Sequence, residues 1–251
     1  MVLPVKSQIR VYPNVDSLMP AVAESLVERI QSVVSLGNCF SLVLSGGNTP
    51  RSLYRLLATE FKDRITWEQM QLFWSDERYV PHSDTRSNYR MAEEILFRHV
   101  PIPRQNIHPM PTELPDPQQG AQAYEGVLRT YFPPPWPRFE LVLLGLGPEG
   151  HTASLFPNSP ALEENERWVV SVKAAADPPV RLTLSMPAIN HAREVYFLAT
   201  GADKAPAVER ALTWTPGKPA SPAAMVRPED GNTVWWIDES AAAYLPESYR
   251  L

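Results

Sequence analysis

The sequence predicts a single α/β domain over residues 1–251, built on a doubly wound, mostly parallel sheet flanked by helices. Three observations predict it. Short apolar runs alternate along the chain with segments of helical periodicity. The strand candidates are continuously apolar rather than alternating, which suits strands covered on both faces by helices. The segments that follow four of them are SGGNTP (45–50), SDERYV (75–80), GLGPEGH (145–151) and TGADK (200–204), polar and mostly bearing glycine. In open α/β sheets such segments form the ligand-binding end. No internal repeat, low-complexity tract or linker interrupts the pattern.

The N-terminal portion reads as a strand and one long helix. Leu18, Val22, Leu26, Ile30 and Val33 recur at helical spacing, and Gly37 is a good terminator. FSLVL (40–44) reads as a buried strand and SGGNTP as a turn. Thr49 is suited to cap a helix with Pro50 in its first position, continuing through Leu53, Leu56 and Leu57. MQLFW (70–74) is a second strand. SDERYVPHSDTRSN (75–88) reads as a long polar loop, a kind of segment that often carries function. Helices are expected over Tyr89 to Phe97 and Gln118 to Tyr131. FELVLL (139–144), WVVSV (168–172), RLTLS (181–185) and EVYFLA (194–199) read as strands. Asp203 to Leu212 reads as a helix and TVWWI (233–237) as a last strand, with Trp235 and Trp236 in the core.

Composition narrows the function. With 44% hydrophobic and 20% charged residues, the chain has the balance of a soluble globular protein. A formal charge of −5 gives no support to nucleic-acid binding, which usually shows a basic footprint. An anionic substrate stays open, because a few local cations can outweigh a mildly acidic whole. Cys39 is the only cysteine, so an intramolecular disulfide and a cysteine zinc cluster are excluded. Cys39 is expected to be a small buried residue beside a strand. No apolar run has the length of a membrane span. The start, MVLPVKSQIRVYPN, has Lys6 and Arg10 where a signal-peptide core would lie, so a cytoplasmic protein is expected. The 27 prolines cluster at 101–117, 133–137 and 216–228, where they mark loops between periodic segments.

The stretch LVLLGLGPEGHTASLFP (141–157) contains Gly145, Gly147 and Gly150 in a G-x-G-x-x-G pattern. A dinucleotide fingerprint needs a following unbroken helix and an acidic residue about twenty positions on. Pro157 forbids the long helix, and the run Trp168–Val172 ends without an acid. The glycines need another explanation, and His151, a side chain able to act as general base and then general acid, is the candidate. SGGNTP suits an anion through Gly46, Gly47 and a helix N-terminus, or is a plain tight turn. Lys204 is unexpected at a helix start unless an anion binds there; otherwise it is a solvated surface lysine. Arg181 is a second cation, or a strand-end charge reaching water. Asp76, Glu77 and Arg78 are either a solvated charge run or groups reaching a substrate. His82 and Asp84 form H-x-D, but no third ligand stands at a recognisable spacing, and no metal is expected. His99, His108 and His191 are read as structural.

Taken together, SLVLSGGNTP, FWSDERYVPHSDTRSNY, LVLLGLGPEGHTASLFP and RLTLSMPAINHAREVYFLATGADKAPAV resemble the 6-phosphogluconolactonase family, within the glucosamine-6-phosphate deaminase and lactonase superfamily. They stand in the family's order and extend over most of the chain. The resemblance implies a Rossmann-like fold of the glucosamine-6-phosphate deaminase type. It also implies cofactor-independent, metal-free hydrolysis of 6-phospho-D-glucono-1,5-lactone to 6-phosphogluconate, the second step of the oxidative pentose phosphate pathway. No nucleic acid, membrane or obligatory protein partner is implied. By position, His151 would be the general base. Gly46, Gly47, Asn48, Thr49, Arg181 and Lys204 would hold the phosphate. Arg78 would contact the sugar acid or phosphate, and Asp76 would orient water, His151 or a hydroxyl. Glu149 stands where the family usually has aspartate, one methylene longer, and Asn48 where serine or threonine is common. Two other readings remain. In the aminosugar-phosphate deaminase branch a glutamate occupies the position of Phe156. A phosphosugar-binding regulator or sensor would bind without turnover.

Overall fold

The computed structural model describes residues 7–217 and 219–249. Its frame is a six-stranded sheet of β1 (Ser7–Tyr12), β2 (Phe40–Leu44), β3 (Met70–Trp74), β5 (Leu141–Gly145), β8 (Glu194–Ala199) and β9 (Asn232–Asp238). The strand order is β1-β9-β8-β5-β2-β3, and every neighbouring pair is parallel. From β2 the chain winds outward to β3, and from β5 it winds the other way through β8 to β9. The reversal between β2 and β5 is the switch point at which open α/β sheets leave a crevice beyond their carboxyl ends. β2 is buried at all five positions, as its uninterrupted FSLVL requires.

Helices complete the layers: α1 (Val15–Val34), α2 (Asn48–Thr59), α3 (Asn88–Ala92), α4 (Pro117–Tyr131), α5 (Met186–Asn190), α6 (Ala205–Leu212) and α7 (Pro222–Met225). α1 starts at a capping box in which Asn14 Oδ1 accepts from the Ser17 N–H. It buries Leu18, Val22, Leu26 and Ile30 of the stripe expected from the sequence, while Val33 is half-buried. Trp235 and Trp236 lie in the core.

Several expectations are corrected. WVVSV and RLTLS do not join the main sheet. As β6 (Val169–Lys173) and β7 (Val180–Leu184) they form a separate antiparallel sheet with β4 (Asp76–Arg78), in the order β4-β7-β6. The short connection 174–179 makes β6 and β7 antiparallel neighbours, unlike the all-parallel main sheet, since parallel strands need a crossover of a dozen or more residues. The polar stretch 75–88 is therefore not all loop. α2 begins one residue earlier than Thr49, after Gly47 at φ 101°, and no side chain caps it. The Thr49 hydroxyl instead lies 3.0 Å from that of Thr200. Tyr89–Phe97 is α3 continued by a π-helical turn. α5 and α7 are too short to show periodicity. Cys39 is exposed, because it precedes β2 instead of lying in it.

The structural histidines have local partners. His108 Nε2 lies 2.8 Å from Gln71 Oε1, and its ring stacks on Phe73. Burial pulls its pKa down to about 4. The unfolded chain therefore takes up a proton near pH 6.5 that the folded protein refuses. This contribution to stability is intact above that pH and is lost as pH falls toward 4. Discounted for its half-exposed ring, the loss is expected to be about 1–2 kcal/mol. Urea unfolding at pH 7 and pH 4.5 checks this: His108→Gln should lose less stability over that interval than the parent protein.

Candidate active site

The crevice at the switch point is a cleft of 390 Å³ lined by residues from the three segments that follow β2, β5 and β8, by Asn88 at the start of α3, and by residues of β4 and β7. Gly46, Gly47, Asn48 and Thr49 come from the turn after β2. Asp76 and Arg78 lie on β4, His151 in the turn after β5, Arg181 on β7, and Lys204 after β8. The sequence-predicted residues thus meet in one place, apart from Glu149, which stands behind the histidine instead of lining the cleft.

Alternation along β4 divides the DER stretch into two jobs. Asp76 and Arg78 face the cleft. Glu77 points the other way and is buried, its carboxylate accepting from the backbone N–H groups of Arg78, Asn88 and Tyr89 and from the Ser87 hydroxyl. It ties the start of α3 to β4. Burial pushes the Glu77 carboxyl up in pKa, against the pull of these N–H groups. Arg78 and Arg181 are direct register partners across the β4–β7 ladder. Like charges placed opposite each other destabilise a sheet unless something neutralises them. Asp76 supplies one negative charge, and a bound anion would supply more. Arg181 is buried, which lowers its pKa together with the neighbouring Arg78 charge, while Asp76 acts in the other direction. Arg78 donates through Nη1 to the Arg86 carbonyl at 2.6 Å, and its buried Nε has no hydrogen-bond partner among the described residues.

The glycines that resembled a dinucleotide fingerprint shape the seat of His151. A Cβ on Gly147 would lie 2.0 Å from His151 Nδ1, so the ring occupies the space a side chain would take. The turn closes through Gly147 N–H to the His151 carbonyl at 2.9 Å. It is held from outside by Arg210, which donates to the Pro148 carbonyl, and by the Ala223 N–H, which donates to that of Gly150. Phe156 packs against the ring at 4.5 Å between centroids. Glu149 Oε1 is 3.1 Å from Nδ1, but off the direction of a ring N–H, so Nδ1 makes no directed hydrogen bond among the described residues. The contact is electrostatic. Burial raises the Glu149 pKa, and its own N–H with the His151 and Lys204 charges outweighs that, leaving it lowered. Lys204 Nζ lies 3.1 Å from Asp203 Oδ2.

Sequence reasoning missed Asn88 and Ser154. Asn88 donates to the Asp76 carbonyl and fills the space over Gly46, where a Cβ would come within 2.1 Å of its Oδ1. It stands ten residues beyond the DER strand, at the start of α3, so no local signal marked it. Ser154 donates to Asp76 Oδ2 at 2.6 Å. No group of three or more His, Cys, Asp or Glu among the described residues is placed to hold a metal. His82 Nε2 is engaged with the Met110 carbonyl and Asp84 with Arg86.

A family model described as glucosamine-6-phosphate isomerases/6-phosphogluconolactonase matches residues 13–235. The chain belongs to this family. Among members of the glucosamine-6-phosphate isomerase/6-phosphogluconolactonase family, the 6-phosphogluconolactonase of Mycobacterium tuberculosis is 40% identical over 247 residues, covering 96% of this chain and 99% of that protein. The 6-phosphogluconolactonase of a Synechocystis species is 39% identical over 241 residues, covering 95% and 98%. The solved 6-phosphogluconolactonase of Trypanosoma brucei matches with a TM-score of 0.85 at 32% identity, over 96% of this chain and 99% of that one. A monomeric glucosamine-6-phosphate deaminase shares the fold, with a TM-score of 0.77 at 20% identity. No helix among the described residues is long and apolar enough to cross a membrane.

Proposed function

We propose that this chain hydrolyses 6-phospho-D-glucono-1,5-lactone to 6-phospho-D-gluconate, the second step of the oxidative pentose phosphate pathway, with His151 as general base. The observation that carries the reading is that His151 opens onto the same cleft as the opposed Arg78–Arg181 pair. The full-length similarity to proteins named 6-phosphogluconolactonase supports it. A cytoplasmic location fits such a substrate, because a charged phosphosugar does not partition into a bilayer.

The chemistry needs a polarised water, a stabilised oxyanion and a protonated leaving group. With Glu149 beside Nδ1, the favoured neutral tautomer carries its proton there and leaves Nε2 as base. His151 takes a proton as the water oxygen attacks the lactone carbonyl. The tetrahedral oxyanion collapses, the bond from C1 to the ring oxygen breaks, and His151 returns the proton to that oxygen. Gly46–Thr49, Arg181 and Lys204 hold the phosphate through N–H groups and charge. Arg78 contacts the sugar acid or the phosphate, and Asp76 accepts a hydrogen bond from water or a hydroxyl. No cofactor or metal enters any step. Phe156 weighs against the deaminase reading, since it puts an apolar ring on His151 where that branch carries a glutamate.

The test offers freshly made phosphorylated lactone and glucosamine 6-phosphate in parallel. We expect lactone opening to 6-phosphogluconate above the spontaneous rate, followed by NMR, and no ammonia from the aminosugar. Ammonia release, or no acceleration with the lactone, contradicts the reading.

A further inference from the structure

We infer that Ser154 is a positioning residue that acts through Asp76, holding this carboxylate so that one oxygen stays open to the cleft. The inference rests on the lactonase reading above. Ser154 is fully buried and lies three residues beyond His151. Its Oγ donates to Asp76 Oδ2 at 2.6 Å, a short charge-assisted hydrogen bond. Among the described residues the other oxygen, Oδ1, has only the Ser75 hydroxyl at 3.5 Å, so it is left to accept from what enters the cleft. A carboxylate can only accept, so the serine proton is committed to Asp76 and the carboxylate cannot rotate freely.

The backbone shows how the serine is aimed. Ala153 sits at φ 47°, a left-handed conformation rare for a residue with a side chain. The turn closes through Leu155 N–H to the Thr152 carbonyl at 2.9 Å. The Ser154 N–H donates to the Thr183 hydroxyl at 3.2 Å, and Thr183 is the register partner of Asp76 on β7. One residue thus grips both strands that carry the opposed arginines, from the turn that carries His151. Strain of this kind persists where surrounding contacts over-determine it, and here those contacts converge on Asp76.

The test is a double-mutant cycle in kcat and KM for the phosphorylated lactone, using Ser154→Ala, Asp76→Asn and the double variant. Ser154→Ala is expected to lower kcat about tenfold with KM changed less than about threefold. The double variant should be no slower than Asp76→Asn alone, because the serine has nothing left to position. A purely structural serine would give losses that multiply, and that result overturns the inference, as does a Ser154→Ala protein with unchanged kcat. Ser154→Cys, which retains a weak donor at similar volume, covers the case in which the alanine variant misfolds, with a kcat between the two expected. If the parent protein does not open the lactone, both this inference and the proposed function fall. If the parent is active and the losses multiply, only this inference falls.

Discussion

Replacing His151 with glutamine is expected to lower kcat for the phosphorylated lactone by about 10²–10⁴-fold. Glutamine nearly conserves the volume that Gly147 leaves for the ring and the packing on Phe156, but it cannot accept and return a proton. The groups proposed to hold the phosphate lie on other loops and on β7, so the dissociation constant for 6-phosphogluconate should stay within about threefold. Proton-release kinetics and titration calorimetry on the same preparations check the two halves. A dissociation constant that weakens as much as kcat falls would make His151 a binding residue and not a base.

Glu77→Ala is expected to cost about 3–5 kcal/mol of folding stability. The carboxylate is buried and accepts from three backbone N–H groups at 2.7, 2.7 and 2.8 Å, so alanine leaves these donors unpaired in a site closed to water. Glu77→Gln keeps one side-chain oxygen and should lose clearly less. Urea unfolding of both variants measures the difference. Since two of the released N–H groups belong to Arg78 and Asn88, which line the cleft, the surviving folded protein should also bind 6-phosphogluconate more weakly. Equal stability of the alanine and parent proteins would mean that Glu77 is a solvated charge after all.

That outcome bears on what the sequence could say. The DER stretch read equally as a charge run or as reaching groups, and its two roles separate only once residues 76–78 are known to be a strand. The strand itself was hidden, because three polar residues with one face on a cleft and the other on a helix start carry no apolar signature. The long parallel strands were legible as apolar runs, and β2, β3 and β8 match them residue for residue. The placement of β6 and β7 was not, since continuity of apolar residues says nothing about which sheet a strand joins; the short connection between them marked only that the two are antiparallel neighbours. At the site, the loops after β2, β5 and β8 were legible from glycine and charge at strand ends. Thr49 shows the limit. Its type suits a helix cap, yet its hydroxyl faces Thr200 across the cleft wall, a tertiary contact with no local trace. Ser154 was hidden for the same reason, because its value depends on Asp76, far away in the chain.

The most direct measurement is kcat/KM for the phosphorylated lactone beside the same lactone without its phosphate, by proton release, with the spontaneous opening rate subtracted. If His151 works in a cleft that is charged to hold a phosphate, the phosphorylated substrate should be favoured by at least about 10²-fold, as expected from losing two or more charge-assisted contacts. Equal rates for the two lactones, or no rate above background for either, would contradict the account.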